Sequence, residues 1–346
     1  MAVTIKDVAA LAGVSPSTVS RTCKNNPSIS EETKERVRQA MAQLGYEPNF
    51  QASTLASHST SKTIGIVLPP ATRESYENSI HLEMIRGISQ FCNQQQYSST
   101  VITGQNEAEL IQAMQTMIRS GKADGFILLF SRQDDGIIEY FCDEGILYVL
   151  IGKPNQFINQ TIYIDNDNLM ASHEATEYLI HHGHKKIAFI GSDFKEIYSN
   201  DRRNGYQFAL VQNQIEIKPE YCVELTTKPE THFAPIRQLL TLPDPPTGIV
   251  VSDDILAVVV QQVCADLGLT IPEDLSLVSF NNSLLSRINS PQLTSIDINA
   301  YQLGMEAASQ MIKHIENPNM PATKSILPHN LIERKSCRAL SGLSNI

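Results

Sequence analysis

Tryptophan is missing from the 346 residues and aromatics amount to 6%, so a ring that stacks on a ligand must come from Phe or Tyr. Cysteine is scarce: six residues, at 23, 92, 142, 222, 264 and 337, with no CxxC pair. That scatter argues against a disulfide framework and against a zinc site. No apolar run approaches the roughly 20 residues that span a bilayer; runs such as Phe126–Phe130 suit buried strands. Met1–Lys6 offers no charged n-region followed by an apolar h-region, so a cytoplasmic location is expected. GxGxxG, P-loop and GxSxG patterns are absent, which removes the usual signatures of nucleotide and hydrolase chemistry. No catalysis, metal or cofactor is expected. Hydrophobic residues at 42% and charged residues at 18% are ordinary for a soluble globular chain.

What is present is unevenly distributed. The net charge is −10, yet residues 1–62 hold seven Lys/Arg against five Asp/Glu, a net +2 that leaves −12 on the rest. A basic head on an acidic body suits a nucleic-acid binder. Within that head, Ile5, Val8, Ala9 and Ala12 form an i, i+3, i+4, i+7 face. Thr4 sits at the N-cap position, with Asp7 three residues on. Gly13 is placed to stop the helix, Ser15 to cap a second one, and Pro16 fits its first position. A third helix begins at Ser30, carries Val37, Ala40, Met41 and Leu44 on one face, and ends before Gly45. Two helices about a Gly-containing turn, closed by a third, predict a helix-turn-helix. Its second helix, Pro16 to about Lys24, shows Ser17, Thr18, Ser20 and Arg21 outward, residue types that contact phosphates and base edges. Residues 51–57 are too few and too polar to hold a helix alone. They read either as a segment that orders on DNA, with Leu55 as a minor-groove wedge, or as a plain linker.

From Thr63 onward, short strands alternate with helical patterns. Ile64–Leu68, Ser99–Thr103, Gly125–Phe130 and Tyr148–Ile151 read as one strand series. Lys186–Gly191, Tyr221–Leu225, Gly248–Ser252 and Ser276–Phe280 form a second. Helices are predicted around Met84-Ile85-Ile88-Phe91 and Leu110-Ile111-Met114-Met117-Ile118. The expected fold is α/β: an all-α headpiece plus a two-lobed, doubly wound α/β domain with a cleft where strand C-termini converge. Asp253 and Asn281 each follow a strand end, and Asp253 suits an acceptor of hydroxyl bonds. Phe280, Tyr76 and Tyr198 offer rings for an apolar ligand face, with surface packing an equal alternative for the tyrosines. His181, His182 and His184 cluster at a helix end, where helix termination explains them better than a metal does.

The run Thr4-Ile5-Lys6-Asp7-Val8-Ala9, Ala12-Gly13-Val14-Ser15, Thr18-Val19-Ser20-Arg21, Arg36-Val37, Leu44-Gly45-Tyr46 and Pro48-Asn49 is similar to the headpiece of the lactose/galactose-repressor family. Gly183–Gly191, Arg202–Tyr206, Ser252-Asp253 and Pro291–Asp297 extend the resemblance over essentially the whole chain. It implies base-reading positions at Pro16, Ser17 and Arg21. It implies backbone-clamping ones at Ser15, Thr18, Ser20, Lys24, Ser30, Thr33, Tyr46 and Asn49, and a minor-groove lever at Leu55. Thr22-Cys23-Lys24 departs from the family's usual aliphatic pair plus Asn, and Pro16 has no polar side chain to offer a base. The resemblance implies residues 1–60 as headpiece, with a hinge helix at about 49–57, and 61–346 as effector-binding and dimerisation domain. An N-lobe of about 62–163 and 293–325 and a C-lobe of about 164–292 and 326–340 follow from it. It makes Arg202 the fork onto ligand oxygens, leaves Asn281 where relatives usually carry Asp, and gives Asp165 a lobe-crossover role rather than ligand contact.

Leu150–Pro154, Ile164–Asn168 and Asp201-Arg202 with Gly205-Tyr206 are similar to maltose-operon repressors of Gram-positive bacteria. The expectation is a repressor that binds double-stranded DNA at a pseudo-palindromic operator as a homodimer, without a membrane partner, under control of a sugar effector such as maltose or maltodextrin. A catabolite-control regulator, a repressor of another sugar operon and a sugar-binding transport protein are the alternatives.

Overall fold

Buried β-rich segments set the architecture. The computed structural model describes residues 5–15, 18–19, 22, 29–44, 46, 61–70, 79–133, 136–225 and 231–340. The chain divides into two units, Met1–Thr60 and Ser61–Ile346.

In the first unit, α1 (Ile5–Ala12) and α2 (Glu31–Leu44) share a small core of Val8, Ala9, Ala12, Val19, Val37 and Ala40, with Tyr46 packed against it. Gly13 stops α1 at φ +64°, where the chain folds back so that the Val14 N–H donates to the Ala9 carbonyl at 3.0 Å. A β-carbon is disfavoured in that left-handed conformation. Residues 18, 19 and 22 are helical. The Ser15 hydroxyl accepts from the Thr18 N–H at 3.2 Å, and Ser30 caps α2 by accepting from the Thr33 N–H at 3.4 Å.

The second unit holds two six-stranded sheets. The N-lobe sheet comprises β1 (Thr63–Val67), β2 (Ser98–Ile102), β3 (Gly125–Leu128), β4 (Tyr148–Ile151), β5 (Ile162–Asn166) and β11 (Lys324–Leu327). Their spatial order is β11-β5-β4-β3-β1-β2, and every pairing is parallel. The C-lobe sheet runs β12-β10-β9-β8-β6-β7: β6 (Ile187–Gly191), β7 (Cys222–Glu224), β8 (Gly248–Val251), β9 (Ser276–Phe280), β10 (Thr294–Asp297) and β12 (Asn330–Ile332). Only β12 is antiparallel to its neighbour. Parallel strands need crossovers, and helices supply them on both faces. This is why β3, β4, β6, β8 and β9 are buried throughout, and why β3, β4, β6 and β8 read as unbroken apolar runs.

In the N-lobe, Ile64, Ile66, Ile127, Val149 and Ile164 meet Met84 and Ile88 of α3 (Ser79–Gln94) and Ala307 and Met311 of α11 (Ala300–Glu316). The other face holds Phe126, Leu128 and Leu150 against Leu110 and Met114 of α4 (Glu107–Arg119) and Phe141 of α5 (Gly136–Glu144). Each such fully buried aromatic or leucine contributes about 2–3 kcal/mol of transfer free energy. In the C-lobe, α6 (Asn168–His181) and α7 (Ile197–Gln212) cover one face. The other is covered by α8 (Phe233–Leu240) and α9 (Asp254–Leu267). The short α10 (Leu284–Ile288) follows β9. Among the described residues, no helix is long and apolar enough to cross a membrane.

The lobe limits differ from those the resemblance implied. Strand β5, reaching Asn166, lies wholly in the N-lobe sheet. Residues 294–297 pair with β9 in the C-lobe, and β11 carries N-lobe membership on to Leu327. The chain therefore crosses near 167, 298–299 and 328–329. Segment 293–297 belongs to the C-lobe because Leu293 and Ile296 are fully buried there and Ser295 bonds the buried Asp254 at 3.0 Å.

Candidate functional site between the lobes

Side chains just beyond strand C-termini converge on one cavity of about 310 Å³, the location expected for ligands of parallel α/β sheets. The N-lobe contributes Pro69 and Pro70 after β1, Leu129–Arg132 after β3, Ile151–Lys153 at the end of β4, and Asp165 and Asn166 at the end of β5. Ile80, His81 and Met84 come from the first turns of α3. The C-lobe contributes Ser192 and Asp193 after β6, Leu225 after β7, Asp253 after β8 and Asn281 after β9, with Glu196, Tyr198 and Arg202 from α7 and its approach.

Arg202 is the centre of the C-lobe wall. Gly205 brings α7 against α6 so closely that a β-carbon there would lie 2.0 Å from the Leu169 carbonyl oxygen. Arg202, one turn earlier, is only 3% exposed. Its Nε donates to Asn168 Oδ1 at 2.9 Å and its Nη1 to the Ser252 carbonyl at 2.5 Å. The guanidinium carbon lies 4.1 Å from the Phe280 ring centroid and 5.1 Å from that of Tyr198. Burial lowers its pKa to about 10, against the raising influence of Tyr198, Asp253 and Asp165; it stays charged.

Four of the residues singled out from sequence, Arg202, Asp253, Asn281 and Tyr198, line this cavity. Three assignments change. Arg202 turns its Nε and Nη1 inward to Asn168 and the Ser252 carbonyl, where the resemblance implied a fork onto ligand oxygens. Phe280 is fully buried and meets the Arg202 guanidinium, so its ring is not available to a sugar face. Asp165 lines the cavity rather than serving only the crossover. It accepts from Asn168 Nδ2 at 3.0 Å, and burial pushes its carboxyl up to about 7, against the lowering influence of Arg202 and Lys153. Asp253 has a structural duty as well, capping α9 by accepting from the Leu256 N–H at 2.8 Å. Asn281 sits at φ +94° with Asn282 at +46°, a two-residue left-handed turn off β9 that amide side chains tolerate. Tyr76 lies outside the described residues.

The sequence reading missed the bridge across the cleft. Arg132 extends from the N-lobe to Asp193 and Glu196 of the C-lobe, each at 3.0 Å. Its backbone forms an antiparallel bridge with Glu196, flanked by Gln133 N–H to Lys195 carbonyl at 3.0 Å and Ile197 N–H to Ser131 carbonyl at 3.2 Å. Lys153 reaches Asp201 at 3.3 Å. Arg132 and Asp193 stand just past β3 and β6, so the strand-end rule alone would have marked them.

In the first unit, Ser15 pairs with Thr18 and Ser30 with Thr33, hydroxyl to hydroxyl at 2.9 Å in each case. These pairs mark the N-terminal ends of successive helical segments, where N–H groups favour anions. Tyr46 packs on the core and its N–H donates to the Met41 carbonyl at 2.9 Å. Pro16, Ser17, Ser20, Arg21, Lys24, Asn49, Leu55 and the hinge at 49–57 lie outside the described residues. Of the histidine group, His184 bonds Thr247 at 3.0 Å and the Arg338 carbonyl at 3.2 Å, and His182 bonds the Tyr178 carbonyl at 2.7 Å. His182 therefore fastens the end of α6, whereas the buried His184 ties the segment before β8 to the C-terminal tail instead of ending the helix.

Two family models match separate stretches of the chain. The model of bacterial regulatory proteins of the lacI family matches residues 4–49, and that of a periplasmic binding protein-like domain matches residues 176–337. The HTH-type transcriptional regulator MalR of Staphylococcus xylosus is 36% identical over 334 residues, covering 96% of this chain and 98% of that protein. The crystal structure of a probable maltose operon transcriptional repressor, MalR, from Staphylococcus aureus is 29% identical, with a TM-score of 0.73, over 80% of this chain and 98% of that one. The complex of the transcriptional regulator CelR with cellobiose is 25% identical, with a TM-score of 0.75, over 97% of this chain and 100% of that one.

Proposed function

Because the chain belongs to the lacI family of bacterial regulatory proteins, we propose that it is a cytoplasmic transcriptional repressor. It binds a pseudo-palindromic operator as a homodimer and adjusts that binding to a neutral sugar, maltose or maltodextrin, held between its lobes. It carries out no catalysis. The observation that carries the sugar reading is the charge balance of the cavity. Arg132 and Lys153 are engaged by Asp193, Glu196 and Asp201, and Arg202 is bonded to Asn168 and Ser252 beside Asp165 and Asp253. No lining cation among the described residues is left over for a sugar acid or phosphate, whereas carboxylate and amide oxygens suit hydroxyl donors. The choice of maltose follows the MalR relatives.

On DNA, Ser15, Thr18, Ser20, Lys24, Ser30, Thr33, Tyr46 and Asn49 hold the phosphates, Pro16, Ser17 and Arg21 face the bases, and Leu55 enters the minor groove at the operator centre. Two such headpieces read two half-sites. The sugar acts by preferring one arrangement of the lobes. Selection of bound duplexes from a random library, with and without maltose, tests this. Enrichment of an inverted repeat in one condition over the other supports the proposal; the same sequence-independent recovery in both contradicts it.

A further inference from the structure

Almost every polar side chain that lines the cavity already has a partner inside the protein. The hydroxyls of Ser131 and Ser192 bond the Lys153 carbonyl and Tyr198. The amides of Asn166 and Asn168 bond neighbouring backbone and Asp165. The charged groups are engaged as described above, and His232 is engaged too. Two side chains remain: His81 on the N-lobe and Asn281 on the C-lobe, both lining the cavity, neither with a side-chain hydrogen bond to the described residues. One belongs to each lobe, and neither is an obligate charge.

We propose that His81 is the N-lobe residue that reads the effector, hydrogen-bonding a ligand hydroxyl while Asn281 does the same from the C-lobe, so that a neutral saccharide ties the lobes together. This rests on the sugar reading above. His81 stands in the first turn of α3, between Ile80 and Met84, which line the same wall. Burial lowers its pKa to about 4, so at neutral pH the ring offers one N–H and one lone pair. That complement matches a hydroxyl, which both donates and accepts. A sugar bonded to both residues stabilises the closed arrangement only when both lobes contact it, which is the differential affinity that a population shift requires.

Calorimetric titration of the full-length protein with maltose, maltotriose, cellobiose, glucuronate and glucose 6-phosphate tests the inference, using wild type, His81→Leu and His81→Gln. The expected result is tight binding of at least one neutral saccharide by wild type. Affinity should fall roughly tenfold in His81→Leu, as for loss of one ligand hydrogen bond, and recover largely in His81→Gln. Operator affinity without sugar should be the same in all three. Equal saccharide affinity in His81→Leu and wild type overturns the role of His81 while leaving the sugar reading intact. Binding of only the anionic ligands, or of none, overturns the sugar reading and this inference with it. A second readout needs no variant: in wild type labelled with ¹⁵N-histidine, the bound saccharide should shift a ring-nitrogen resonance assigned to His81, and an unmoved resonance contradicts the proposal.

Discussion

Arg202 and Phe280 come from different segments of the C-lobe, yet the guanidinium carbon of one sits 4.1 Å from the ring centroid of the other. The pair joins α7 to the end of β9, next to the turn that presents Asn281. A planar cation can stack on the ring and fork to Asn168 and the Ser252 carbonyl at once; lysine cannot. Arg202→Lys should lower the unfolding free energy by about 2–3 kcal/mol, the range for breaking a buried charged hydrogen-bond network. It should also weaken sugar binding by at least about tenfold, since each 1.4 kcal/mol is a factor of ten. Denaturant unfolding and calorimetry on the same preparation check both.

The ionic bridge from Arg132 to Asp193 and Glu196 crosses the cleft, and its members are partly exposed. Such pairs contribute about 0–1 kcal/mol each, too little to hold the fold but enough to bias two lobe arrangements. Arg132→Gln should leave the melting temperature nearly unchanged and weaken sugar binding roughly three- to tenfold. Salt should weaken sugar binding in wild type and have less effect in the variant. Titration at low and high ionic strength measures this.

Asp165 gives a pH signature. Its carboxyl is raised from 3.8 to about 7 by burial, so between those values the folded protein binds a proton that the unfolded chain has released. Stability from this group is therefore highest below about pH 4, falls as pH rises to about 7, and is flat above that. Asp165→Asn, which still accepts from Asn168, should equal wild type near pH 4. Near pH 8 it should be more stable by on the order of 4 kcal/mol. Melts across that range decide it.

Gly205 sets the distance between α6 and α7. Gly205→Ala would place a methyl group 2.0 Å from the Leu169 carbonyl oxygen, forcing the helices apart. A loss of about 2–3 kcal/mol is expected, as for other overpacked cores, although alanine favours an isolated helix. Chemical denaturation of the variant measures it.

Much of this was legible beforehand. Gly13, Ser15 and Ser30 punctuate the headpiece as turn and capping chemistry dictates, and the buried strands β3, β4, β6 and β8 announce themselves by unbroken apolar runs. Strands β5 and β10 did not, because Ile162–Asn166 ends in Asp-Asn and Thr294–Asp297 is half polar. The hydroxyls of β10 are admitted to the interior by distant partners: Thr294 Oγ1 accepts from the Arg334 N–H at 3.0 Å and Ser295 donates to Asp254 at 3.0 Å. No local pattern encodes those contacts, and the lobe crossing was misplaced with them. The cavity residues split the same way. Asp253 and Asn281 follow strands visible in sequence, while the partners of Arg132 and the stacking of Phe280 depend on which strand ends meet.

Linkage offers the most direct test of sugar-controlled operator binding. Once a preferred operator has been selected, its dissociation constant is measured by fluorescence anisotropy over a maltose titration, and the maltose dissociation constant is measured with and without saturating operator. The account predicts that the two ligands change each other's affinity by the same factor, about 5- to 150-fold. Operator affinity that stays constant at saturating maltose would contradict it.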